Sequence, residues 1–127
     1  GNDMLINTAV NRILVVARNS ELLNNLRNIL TSNSIIVDAT DEMTRALSFL
    51  EKESYDAVFL DIEINDIFIN DFIFEVKIAH PQILLILLIN RSEISSINSF
   101  LKSGVDNFLI KPFDFNKLSS MLSAYPF

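Results

Sequence analysis

The sequence predicts an α/β protein, a doubly wound parallel sheet of five strands with a helix after each. Three observations predict it. Apolar, β-branched runs alternate with helix-period segments from Arg12 onward, the pattern of consecutive βα units with right-handed crossovers. Ile83 to Ile89 is apolar at every position, as a central strand buried on both faces requires. Asp61 closes one apolar run and Lys111 another, so a parallel sheet brings both side chains to the edge where such folds place their sites.

The elements follow in order. Arg12 to Val16 reads as the first strand, β-branched and apolar. Ser20 is the expected N-cap of a helix that carries Leu22, Leu23, Leu26, Ile29 and Leu30 at helical spacing. Ile35 to Val37 is the second strand, and Thr40 is expected to cap a helix with Met43, Ala46, Leu47 and Leu50 on one face. Ala57 to Leu60 is the third strand. A helix over roughly Asn70 to Ala79 must stop before Pro81. Ile83 to Ile89 is the fourth strand, followed by a helix capped by Ser92 and running through Ile94, Ile97, Phe100 and Leu101. Gly104 supplies the left-handed turn that ends this helix. Val105 to Ile110 is the fifth strand. Lys111-Pro112 then makes a restricted turn, since proline lacks a donor and can take a cis bond. The last helix carries Leu118, Met121 and Leu122.

Composition narrows the functional classes. The 127 residues suit one domain with a proper core, and a hydrophobic content of 50% argues against disorder. Residues 1–11 read as a lead-in and 12–127 as the domain. No apolar run is long enough to cross a membrane and no signal peptide opens the chain, which suggests a cytoplasmic location. There is no cysteine, so disulfides and thiolate metal sites are excluded. The net charge of −6 disfavours direct nucleic-acid binding by this domain. Ala17-Arg18-Asn19-Ser20, after the first strand, contains no glycine, which argues against a nucleotide-phosphate loop. No nucleophile–base pair is visible, so an enzyme is not expected.

With these residues in view the chain resembles the response-regulator receiver domain, the CheY-like family. Ile13-Leu14-Val15-Val16, Tyr55 to Asp61 and Gly104 to Phe113 carry the resemblance, which covers residues 12 to 123. It implies a flavodoxin-like sandwich of five βα units with strand order 2-1-3-4-5. It also implies two-component signalling. Asp61 stands at the position of the phosphoacceptor and Lys111 at that of the lysine that pairs with the phosphoryl group. The acidic pair that holds Mg²⁺ is replaced by Ala17 and Arg18. The switch Thr or Ser is Ile89, and the switch aromatic is Phe108, expected to be buried.

These departures fall on the chemistry and spare the scaffold. Mg²⁺ prefers carboxylate and water oxygens, and phosphoryl transfer needs the developing charge neutralised. Ala17 has no side-chain oxygen, Arg18 is a cation, and Ile89 donates no hydrogen bond. The resemblance is therefore to a degenerate, pseudo-receiver variant, a regulatory protein-interaction module with no cofactor expected. The alternative is a working aspartyl phosphoacceptor in a phosphorelay, with Mg²⁺ held through Glu63 or Asp66. Asp61 is expected to pair with Lys111. Arg18 either joins that pair in place of a metal or faces solvent, and Glu63 is either a metal ligand or an exposed loop residue. His80 reads as incidental. Expected partners are other proteins, a histidine kinase or an attached output domain. A homodimer or partner complex is expected on Ser92 to Ser103, Val105 to Ile110 and Phe115 to Tyr125.

Overall fold

A computed structural model describes residues 9–64 and 67–125. Residues 1–8, most of the lead-in, and Asp66, the alternative metal ligand, lie outside the described residues. The strands are β1 (Arg12–Val16), β2 (Ile36–Thr40), β3 (Ala57–Asp61), β4 (Leu84–Asn90) and β5 (Asn107–Lys111). The helices are α1 (Ser20–Thr31), α2 (Met43–Lys52), α3 (Ile69–Ala79), α4 (Ile97–Ser103) and α5 (Phe115–Ser123). The strands form one parallel sheet in the order β2-β1-β3-β4-β5. The alternating periods led to a doubly wound parallel sheet, and the strand order is that of the flavodoxin-like sandwich which the resemblance implied.

Side-chain alternation along the strands divides the core into two layers. Leu14, Val16, Val58, Leu60, Leu85, Leu87 and Ile89 pack with Met43, Ala46, Phe72, Val76 and Phe100 of α2, α3 and α4. Ile13, Val15, Phe59, Ile86, Leu88 and Leu109 pack with Leu26 and Leu30 of α1 and Leu118 and Leu122 of α5. Val10, from the lead-in, is buried in this second layer. No helix among the described residues is long and apolar enough to cross a membrane.

Several boundaries differ from the sequence expectation, each for a local reason. The N-cap of α1 is Asn19, whose side chain accepts from Leu22 N at 3.0 Å, so Ser20 is the first helical residue. Asn and Ser are equally good caps, and the extended backbone of Asn19 decides between them. Thr40 ends β2 and does not cap α2; its Oγ1 accepts from Glu42 N at 3.2 Å in a side-chain turn. Ser92 does not open a long helix. A 3-10 turn, Arg91–Ser96, comes first. It is closed by a capping box in which Asn90 N donates to Glu93 Oε1 at 2.8 Å. Ile94 and Leu101, through which the sequence ran this helix, are both exposed.

Gly104 takes the C-terminal position of α4 at φ +118°, and a Cβ there would meet Lys77 Cγ at 3.1 Å. Lys77 is itself held in place. Its Nζ donates to Ile83 O at 2.6 Å and pairs with Asp106 Oδ2 at 2.8 Å. At the β1–β2 end of the sheet Arg12 pairs with Asp38 at 2.9 Å and Glu53 at 3.0 Å, while Tyr55 OH donates to Asp38 at 2.6 Å. Both clusters tie loops to strands well away from Asp61 and Lys111.

Candidate functional site

Three strands deliver the site. Asp61 is the last residue of β3, Asn90 of β4 and Lys111 of β5. In register, Asp61 lies beside Leu88, and Asn90 beside Lys111. Asp61 and Lys111 are thus separated by β4, roughly 10 Å at two interstrand spacings. A long, unbranched side chain is needed to cross that gap. Lys111 crosses it, and its Nζ lies 2.7 Å from Asp61 Oδ1. The Lys111–Pro112 bond that follows is cis.

Asp61 is 0% exposed. Its Oδ1 also accepts from Glu63 N at 3.2 Å, while its Oδ2 is buried and bonds no described residue. Glu63 lies in a 3-10 turn, Ile62–Ile64, that starts where β3 ends. Its Oε2 is 3.1 Å from Lys111 Nζ, and its Oε1 accepts from Asn90 Nδ2 at 3.1 Å. Lys111 therefore sits between two carboxylates, and the second is anchored to the end of β4. A cavity of about 310 Å³ opens beside Lys111, walled by Asn19, Asn25, Leu26, Asn90 and Phe113.

Charge follows geometry. The hydrogen bonds from Lys111 and Asn90 hold the Glu63 carboxyl below its ordinary value of 4.5. Burial disfavours the Lys111 ammonium, but Asp61 and Glu63 outweigh it and hold its pKa above the ordinary 10.5. A depressed carboxyl stabilises the fold above its ordinary value, and that contribution is lost as pH falls through the lower folded value. The raised Lys111 contributes fully below 10.5 and loses its contribution as pH rises through the folded value. Urea unfolding across pH checks the acid limb with Glu63→Gln. The variant is expected to be less stable than the parent at neutral pH, with the difference vanishing in strong acid. A difference that does not change with pH would exclude the ion pair as its source.

The remaining candidates fall as follows. Ala17 is buried after β1 and brings no side-chain oxygen. Arg18 is exposed, lines a groove between α2 and α3, and makes no ion pair with a described residue. Of the two outcomes the sequence left open for Arg18, the structure takes the exposed one: a guanidinium gains more from water than from a closed pocket that already holds the Lys111 cation. Ile89 is fully buried with Leu87 and fills its place by packing alone. Phe108 was expected to be buried and is only half-buried. It lies in register with Leu87 on β5, an edge strand paired on one side only. Glu63 is half-exposed and ion-paired, which the sequence did not resolve. Asn90 was read with Ile89 as a strand end on the site's edge, but was given no role there. Its capping-box spacing to Glu93 was legible, but its bond to Glu63 arises only across the sheet edge.

Whether these residues fit Mg²⁺ depends on the donors. The ion demands near-octahedral oxygen coordination and retains several waters. Asp61 Oδ2 is one available carboxylate oxygen. Both oxygens of Glu63 are engaged, position 17 has none, and position 18 is cationic. Among the described residues no group of three or more His, Cys, Asp or Glu side chains could hold a metal ion. The donor set does not fit a magnesium ion held by an acidic pair.

Comparison with known proteins agrees with the geometry of the scaffold. The family model described as the response regulator receiver domain matches residues 13–123. The transcriptional regulatory protein ZraR of Klebsiella oxytoca is 32% identical over 79 residues, which cover 62% of this chain and 18% of that protein. The chain therefore spans less than a fifth of that relative's length. The receiver domain of the TMAO respiratory response regulator TorR superposes with a TM-score of 0.82 at 19% identity, covering 90% of this chain and 94% of that one. A response regulator receiver domain protein from Clostridium thermocellum gives 0.79 at 25% identity, covering 91% and 93%. Full-length FixJ from B. japonicum gives 0.79 at 19% identity, covering 92% of this chain and 57% of that one. With an aspartate and a lysine meeting at the carboxyl edge of a 2-1-3-4-5 sheet, and a family match across nearly the whole chain, this protein belongs to the response regulator receiver domain family.

Proposed function

We propose that this is an atypical receiver domain, a regulatory protein-interaction module of two-component signalling that works without ordinary phosphorylation of Asp61. The observation that carries it is the closed state of Asp61. Its carboxylate is fully buried and ion-paired with Lys111, and positions 17 and 18 offer no carboxylate to bring a metal beside it. Phosphoryl transfer without a cation leaves the charge on the transferring oxygens unscreened, and Ile89 provides no hydroxyl to receive one of them. Such a domain signals through surface that is already formed. The face of α4, β5 and α5 suits that role, with Ile94 and Leu101 exposed and Phe108 half-buried along it. The partners are a histidine kinase, an attached output domain, or a second copy meeting this face. Its place is the cytoplasm, and it is regulatory rather than enzymatic.

One observation favours a second reading. The buried, unpartnered Asp61 Oδ2 is a carboxylate oxygen in search of a donor or a cation. A working phosphoacceptor would use it, with Glu63 released from Lys111 to become a metal ligand.

Incubation with acetyl phosphate and MgCl₂, read by intact-protein mass spectrometry, separates the two. The expected result is no phosphoryl adduct and no saturable Mg²⁺ binding by calorimetry below about millimolar. An adduct abolished by Asp61→Asn establishes the phosphoacceptor instead.

A further inference from the structure

A second surface lies between α2 and α3, away from the α4–β5–α5 face. A groove of about 370 Å³ has Met43, Ile64 and Phe72 in its floor and Phe68, 59% exposed, at its mouth. Four carboxylates rim it, from Asp41, Glu42, Asp71 and Glu75, against the single guanidinium of Arg18. All four are exposed, and none pairs with a described residue. Beyond the rim, α3 presents Phe74 and Ile78, 58% and 68% exposed and one helical turn apart. Large apolar side chains on display beside uncompensated acids are costly in a free monomer and mark a contact surface.

The charge selects the occupant. A second copy using the same face in a two-fold dimer sets its acids against these acids, and each copy carries −6. Nucleic acid and anionic lipid are repelled for the same reason. A helix with an apolar stripe and flanking Lys or Arg satisfies both features, its stripe entering the groove and its cations meeting the rim. We propose that the α2–α3 groove docks a basic amphipathic helix of a partner protein.

The probe is a fluorescein-labelled amphipathic peptide about four helical turns long, leucine on one face and lysine on the other, with a glutamate-for-lysine version as control. Fluorescence anisotropy is expected to show saturable one-to-one binding of the lysine peptide, weakening with added NaCl, and none of the glutamate peptide. Asp71→Lys with Glu75→Lys is expected to weaken binding by about tenfold or more, and Phe68→Ser to weaken it as well. Reversing Glu21 and Glu51, acids outside the groove, should change it by less than about twofold. All these positions are exposed, and thermal melts by circular dichroism verify that each variant folds. Equal weakening by groove and distant reversals would reduce the effect to diffuse charge and overturn the proposal. So would binding of the glutamate peptide, no binding of the lysine peptide, or self-association lost on Asp71→Lys.

Discussion

Lys111→Met is expected to destabilise the domain by about 3 kcal/mol, because it leaves the Asp61 carboxylate buried without its cation. Asp61 is 0% exposed, and the Lys111 side chain is only 14% exposed. The low end of the range for broken buried pairs applies, since the Glu63 amide still donates to Asp61 Oδ1. The two partners should not behave alike. Asp61→Asn is expected to cost less, because Lys111 keeps Glu63 at 3.1 Å as a second counterion. Replacing both, Asp61→Leu with Lys111→Met, is expected to recover most of the loss, as apolar pairs often substitute for buried ion pairs at little cost. Urea unfolding of the three variants and the parent measures these losses. A loss below about 1 kcal/mol for Lys111→Met would show that the pair is solvated like a surface bridge.

Phe59→Ala is expected to be the most damaging of the simple core truncations, at about 4 kcal/mol. Phe59 is fully buried on β3, flanked by β1 and β4, and it packs into the layer closed by α1 and α5. No neighbour can collapse into the space, because both flanking strands are held by their own ladders. Against a total stability of about 5–15 kcal/mol, this brings the domain close to unfolding. Phe74→Ala should change stability by less than about 0.5 kcal/mol, because that ring is largely exposed. Thermal and urea denaturation check both, and comparable losses at the two positions would mean that the α3 face is structural.

Periodicity in the chain was enough to determine the layers of this protein. The all-apolar stretch that became β4 could only be central, and the helical spacings of Leu26 and Leu30, or Ala46 and Leu50, could only face a sheet. Parallel topology then places the last residue of β3 and the last residue of β5 on one edge, which is why Asp61 and Lys111 were legible together. Caps were less legible, because Asn19 and Ser20 compete with nearly equal chemistry and only the backbone path decides.

The tertiary structure alone decided what surrounds the pair. Arg18 had two outcomes, solvent or Asp61, and it is exposed while Lys111 supplies the cation beside the buried Asp61 carboxylate. Glu63 became a counterion because a 3-10 turn after β3 directs it to Lys111 and Asn90. Phe108 stayed half-buried on the edge strand β5, while Leu109 beside it is buried in the other layer. Burial periodicity is a local signal carried by each segment, whereas ion-pair partners are chosen across strands far apart in the chain, by which charged group reaches a shared oxygen at least cost in desolvation.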